Sequence, residues 1–85
     1  MPERDPVLAA LGHSVRQARL QRGLTQEALA KRAQFDRTYI SLLERGMRNP
    51  SLTNLLILAR ALGVSAGDLV HMVERHSHTQ SLDGQ

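Results

Sequence analysis

The chain has 85 residues, 41% of them hydrophobic and 22% charged, and a formal net charge of +3 from 11 Lys and Arg against 8 Asp and Glu, which suits one small domain. It has no cysteine, which excludes disulfides and thiolate metal sites and fits a reducing compartment. With no Trp, one Phe and one Tyr the core must be aliphatic; Leu and Ala dominate, no useful β-branched alternation appears, and an all-α fold is expected.

Residues 1–6 hold two prolines and mixed charge and read as a flexible N-terminal arm. A first helix is predicted over 7–22, with Leu8, Leu11, Val15 and Ala18 as an apolar stripe at spacings of three and four. Leu20 falls off that stripe, and Gly23 supplies a left-handed stop. Thr25 is a good N-cap for a second helix over 26–32, which turns Leu29, Ala30 and Ala33 to one side. Asp36 is a second N-cap, for a third helix over 37–45 carrying Ile40 and Leu43 inward. Only Ala33, Gln34 and Phe35 separate the two, so they form a helix-turn-helix.

After Gly46 the residues Met47, Arg48, Asn49 and Pro50 form a loop, and Ser51 caps a fourth helix that ends before Gly63. Its expected core stripe is Leu52, Leu55, Leu58, Ala59 and Leu62, with Leu56 and Ile57 partly outside it. Ser65 and Asp68 match a capping box with Asp for the usual Glu, opening a fifth helix over 66–75 with Leu69, Val70, Met72 and Val73 as its apolar residues. Residues 77–85 are polar and aperiodic and read as a disordered tail, leaving one helix-turn-helix domain over 7–76.

The third helix has two distinct faces. Ile40, Leu43 and Glu44 point inward, while Arg37, Thr38, Ser41 and Arg45 share an outer face that carries no carboxylate. A helix fits the DNA major groove, where Arg and Thr read base edges. Residues 16–48 hold eight basic and three acidic residues, the remainder three and five, so positive charge gathers around the two-helix unit as a polyanion partner requires. An ordinary solvated surface is the alternative explanation of that charge.

Residues 12–70 resemble the phage-repressor and Cro-like (xenobiotic-response-element type) helix-turn-helix regulators. The resemblance is carried by Arg19, Gly23-Leu24-Thr25-Gln26, Leu29-Ala30, Tyr39-Ile40-Ser41, Glu44-Arg45-Gly46, Arg48-Asn49-Pro50-Ser51, Leu55, Ala59 and Leu62-Gly63-Val64. The hexapeptide Asp36-Arg37-Thr38-Tyr39-Ile40-Ser41 is also similar to the recognition helix of restriction–modification controller proteins, a small, single-domain, dimeric subgroup. The resemblance implies a five-helix repressor-like DNA-binding domain. One departure is Gln34, at a turn position the family usually gives to Gly; a left-handed conformation there costs about 1 kcal/mol with Gln.

Arg37, in the first turn of the third helix, is the leading candidate for base readout, because a guanidinium forks onto guanine O6 and N7. Thr38, Ser41 and Leu42 are further base-contact candidates, Leu42 through a thymine methyl. Gln26, Tyr39, Arg45, Arg48, Asn49 and Ser51 are backbone-contact candidates: Gln26 opens the second helix, where N–H groups and the helix dipole favour a phosphate. For Tyr39 the bland alternative is packing against the second helix, and for Ser51 it is plain capping. The resemblance implies that Arg19 and Glu44 form a structural ion pair joining the first and third helices. His71 and His76 lie five apart, off the four-residue helical ligand spacing, His78 lies in the tail, and His13 reads as a surface residue, so no metal site is expected. No catalytic constellation, Gly-rich phosphate loop or cofactor motif is present.

One recognition helix reads few base pairs, so a homodimer on a palindromic double-stranded DNA operator is expected. Leu56, Ile57, Val70, Met72 and Val73 are its interface candidates, against the alternative that they close the core. No apolar run nears the ~18 residues that span a bilayer, and the N-terminus does not resemble a signal peptide, so the cytoplasm is the expected location and no membrane partner is expected. The reading is a transcription regulator, of the autoregulating or restriction–modification controller kind. The alternative is an antitoxin or adaptor that mainly binds a partner protein.

Overall fold

A computed structural model describes residues 5–77, and within them five helices and no strand. They are α1 (Pro6–Gln21), α2 (Gln26–Ala33), α3 (Arg37–Glu44), α4 (Leu52–Leu62) and α5 (Ala66–Ser77). The helix boundaries follow local capping chemistry. The Asp5 carboxylate accepts from the N–H groups of Val7 (2.8 Å) and Leu8 (3.4 Å), and Pro6 opens α1 with its preset φ. Asp5 and Pro6, expected in the arm, therefore belong to the start of α1. Thr25 Oγ1 accepts from Ala28 N at 3.0 Å, Ser51 Oγ from Asn54 N at 3.1 Å and Ser65 Oγ from Asp68 N at 2.9 Å.

Asp36 departs from the expectation. It sits at the N-cap of α3 with extended backbone, but its side chain makes no cap hydrogen bond. At the other end of the chain Ser77, expected in the tail, is the last residue of α5 and is buried. Residues 1–4 and 78–85, with His78 and most of the expected arm and tail, lie outside the described residues.

Every helix contributes to one core. Leu11, Val15 and Ala18 of α1 meet Leu29, Ala30 and Ala33 of α2, Ile40 and Leu43 of α3, Leu58, Ala59 and Leu62 of α4, and Leu69 of α5. Fully burying a leucine or isoleucine side chain is worth about 1.5–3 kcal/mol, so this cluster is the principal source of stability. Met72 and Val73 are half-buried against it. Leu52, placed in the α4 stripe by spacing, is 71% exposed; it is the first residue of its helix, beyond the edge of the core. Leu20, off the α1 stripe, is 54% exposed.

Helix α1 lies so close to α3 that only glycine fits at position 12. A Cβ there would stand 2.5 Å from the Glu44 carbonyl oxygen and 2.6 Å from that of Leu43. At the far side, Arg22 Nη2 donates to the Gly63 carbonyl (2.7 Å) and Arg32 Nη1 to that of Ala61 (3.3 Å), so the residue capping α1 and a residue of α2 both clasp the C-terminal end of α4. Among the described residues no single helix is long and apolar enough to cross a membrane.

Candidate nucleic-acid interface

The turn between α2 and α3 is built on a strained residue. Gln34 closes α2 at φ 59° and ψ 39°, and among the described residues it is the sole non-glycine at positive φ. Phe35 N–H then donates to the Ala30 carbonyl at 2.9 Å, satisfying the helix end and turning the chain into α3. The left-handed turn is present as the family position requires, with glutamine bearing its cost.

The inner face of α3 is fixed by an ionic node. Glu44 Oε2 accepts from Arg19 Nε at 2.5 Å and Oε1 from Arg19 Nη2 at 3.0 Å, a bidentate pair whose side chains are only 9% (Arg19) and 3% (Glu44) exposed. Gln26 Nε2 donates to the same Oε1 at 3.1 Å, and Arg19 Nη1 donates to the Leu24 carbonyl at 2.8 Å. The carboxylate thus ties α1 and the start of α2 to the end of α3, and Arg19 adds the α1–α2 turn through Leu24. The amide nitrogen of Gln26 is engaged within the fold, so a phosphate at this position would rely on its second amide hydrogen or on the first backbone N–H groups of α2.

The outer face of α3 is differently composed. Arg37, Thr38 and Arg45 are exposed and Ser41 and Leu42 half-buried. Among the described residues, no side-chain hydrogen bond or ion pair engages Arg37, Thr38, Ser41 or Arg45. Fixed behind and uncommitted in front, α3 and its C-cap present two arginines and two hydroxyls.

Tyr39 lies between these faces. Its ring meets Phe35 edge-to-face, centroids 5.0 Å apart and planes at 77°, and the Arg48 guanidinium sits 5.3 Å from the ring centroid. Its hydroxyl accepts from Asn54 Nδ2 of α4 at 3.2 Å. Packing involves the turn and α4, where the alternative reading places it against α2. Arg48 and Asn49 are exposed in the loop that follows, and Ser51 is occupied as a cap. The role of Asn54 and the Phe35–Tyr39 stack are not legible in the sequence, because an isolated asparagine in a helical pattern carries no signal of its partner.

The interface candidates divide. Leu56 (51%), Ile57 (38%) and Val70 (41%) are exposed, whereas Met72 and Val73 spend much of their surface on the core. Two of the histidines also do more than their spacing indicates. The rings of His13 and His76 stack T-shaped at 4.4 Å, joining α1 to α5, and buried His76 Nε2 has no hydrogen-bond partner among the described residues. Burial, then the neighbouring His13 and then Arg75, lower the His76 pKa from the ordinary 6.5. Among the described residues no group of three or more His, Cys, Asp or Glu side chains could hold a metal ion.

An all-helical core carrying an α2–turn–α3 unit with a basic, hydroxylated outer face defines the helix-turn-helix class, and comparison with known proteins agrees. The helix-turn-helix family model matches residues 15–69, and the chain belongs to that family, the Cro/C1-type DNA-binding transcription regulators. Control protein C.BamHI from Bacillus amyloliquefaciens is 48% identical over 60 residues, covering 69% of this chain and 74% of the relative. The restriction–modification controller protein C.AhdI from Aeromonas hydrophila superposes with a TM-score of 0.71 at 44% identity, over 73% of this chain and 94% of the other. The controller protein C.Esp1396I, solved as a tetramer with its natural 35-base-pair operator, gives a TM-score of 0.77 at 34% identity, over 84% and 93% of the two chains.

Proposed function

We propose that this regulator binds a palindromic double-stranded DNA operator as a homodimer, in the manner of a restriction–modification controller or autoregulator. The observation that carries the reading is the two-sided α3: Glu44 locked behind by Arg19 and Gln26, Arg37, Thr38 and Ser41 uncommitted in front. In this reading Arg37 forks onto a guanine, Thr38 and Ser41 meet neighbouring base edges, and Leu42 meets a thymine methyl. Tyr39, Arg45, Arg48, Asn49, Ser51 and the start of α2 at Gln26 hold the flanking phosphates and set the register.

Exposed Leu56, Ile57 and Val70 join the two subunits, with Met72 and Val73 behind them. The protein acts in the cytoplasm and needs no cofactor or catalytic group; the relatives named above are regulators. The antitoxin or adaptor alternative is less favoured, since those relatives are control proteins and one is solved on its operator. Selecting bound duplexes from a random pool tests the reading. The expected product is a twofold-symmetric consensus, and enrichment of no sequence over the starting pool would refute it.

A further inference from the structure

We propose that Asn54 of α4, outside the helix-turn-helix unit, is a positioning residue for DNA binding that aims the Tyr39 hydroxyl proton at a backbone phosphate. The proposal rests on the reading of Tyr39 as a phosphate contact, and deepens it.

A tyrosine hydroxyl has one proton to give and lone pairs to accept with. Here Asn54 Nδ2 donates to that oxygen at 3.2 Å. An amide NH₂ has no lone pair to offer in return, so the hydroxyl proton must point away from α4. The edge-to-face contact with Phe35 holds the ring from the turn side, leaving the hydroxyl little freedom to move. The Asn54 backbone is held as well, because its N–H is the one that the Ser51 cap accepts at 3.1 Å.

The surroundings suit an anion. The Arg48 guanidinium lies over the Tyr39 ring at 5.3 Å, so a positive charge and an outward O–H are held together between α3, the following loop and α4. Glu44, the one acid within α3, is already bound by Arg19 and Gln26, and the other acid close in sequence is Asp36 at the N-cap of the helix. Two donors of different character, one charged and one neutral, therefore lie close together. A neutral donor strengthens phosphate binding without releasing a counterion, whereas a guanidinium does release one.

That difference supplies the test. Affinity for a duplex selected by the wild-type protein is measured across a salt series for Tyr39→Phe, Asn54→Leu and the double variant, with thermal unfolding alongside. Tyr39→Phe and Asn54→Leu are each expected to weaken binding about three- to tenfold at every salt concentration, with the log–log salt slope unchanged. Added to Tyr39→Phe, the Asn54→Leu change should cost nothing further, since its effect passes through the missing hydroxyl. Asn54→Asp turns the hydroxyl proton inward toward a carboxylate, and should weaken binding more than Asn54→Leu. An acid in the first turn favours the helix dipole, so this variant keeps the fold even if the leucine variant does not.

Full affinity in Tyr39→Phe would overturn both the phosphate reading of Tyr39 and the role of Asn54. Weakened binding in Tyr39→Phe, with Asn54→Leu and Asn54→Asp both unaffected or with Asn54→Leu costing as much in the double variant as it does alone, would overturn the role of Asn54 alone.

Discussion

Arg37 and Glu44 lie on opposite faces of α3, one exposed and one nearly buried, and their substitutions should fail in different ways. Arg37→Ala removes a side chain that is uncommitted within the fold. It should weaken operator binding by about 1–3 kcal/mol, roughly five- to 150-fold, and relax preference at a single base position. Its unfolding temperature should match the wild type, which calorimetry checks. Glu44→Ala leaves the Arg19 guanidinium buried without its carboxylate, and should cost about 3–5 kcal/mol of folding stability in a denaturant titration. Equal unfolding midpoints for Glu44→Ala and wild type would remove the ionic node from the account.

At the scale of the elements, the helices are legible because each carries its own start and stop. Thr25, Ser51 and Ser65 accept from N–H groups in the first turns they precede, and Gly23 and Gly63 adopt positive φ at the ends. What the sequence hides is tertiary. Asp5 and Pro6 sit in a proline-bearing stretch that reads as an arm. Leu52 matches the stripe by spacing yet lies at a helix end that the core does not reach. The Asn54–Tyr39 bond and the His13–His76 stack join residues 15 and 63 positions apart, so no local pattern announces them.

Gln34→Gly relieves a left-handed residue and should add about 1 kcal/mol, raising Tm by about 4–8 °C for a domain of this size. An unchanged or lower Tm would mean the glutamine side chain supplies a compensating contact. The His13–His76 contact should make the docking of α5 on α1 sensitive to pH. The folded-state pKa of His76 is lowered, so below 6.5 the unfolded chain holds more protons than the folded one. Stability should therefore fall as the pH drops from 6.5 through the folded value, and this contribution should be fully present above 6.5. Denaturant midpoints at pH 5.5 and 7.5 check this; the difference between them should shrink in His76→Gln.

For the whole molecule, Arg37, Arg45 and Arg48 are exposed on α3 and the residues that follow it, whereas Arg19 is buried against Glu44 and Arg22 and Arg32 clasp α4, so only part of the basic charge of positions 16–48 serves the α3 face. The exposed Leu56, Ile57 and Val70 leave an apolar surface that a second copy would cover. Ile57→Asp combined with Val70→Asp should convert a dimer to a monomer by sedimentation equilibrium, while the isolated domain stays folded because neither residue is buried. A dimer persisting in that variant would place the interface elsewhere.

The claim that a twofold pair sets α3 into successive major grooves is tested most directly by a hydroxyl-radical footprint on the selected duplex. Two protected patches related by a dyad are expected, their centres about one helical turn (~34 Å) apart, both lost in Arg37→Ala at concentrations that protect with wild type. A single patch without a dyad, or full protection by Arg37→Ala, would contradict it.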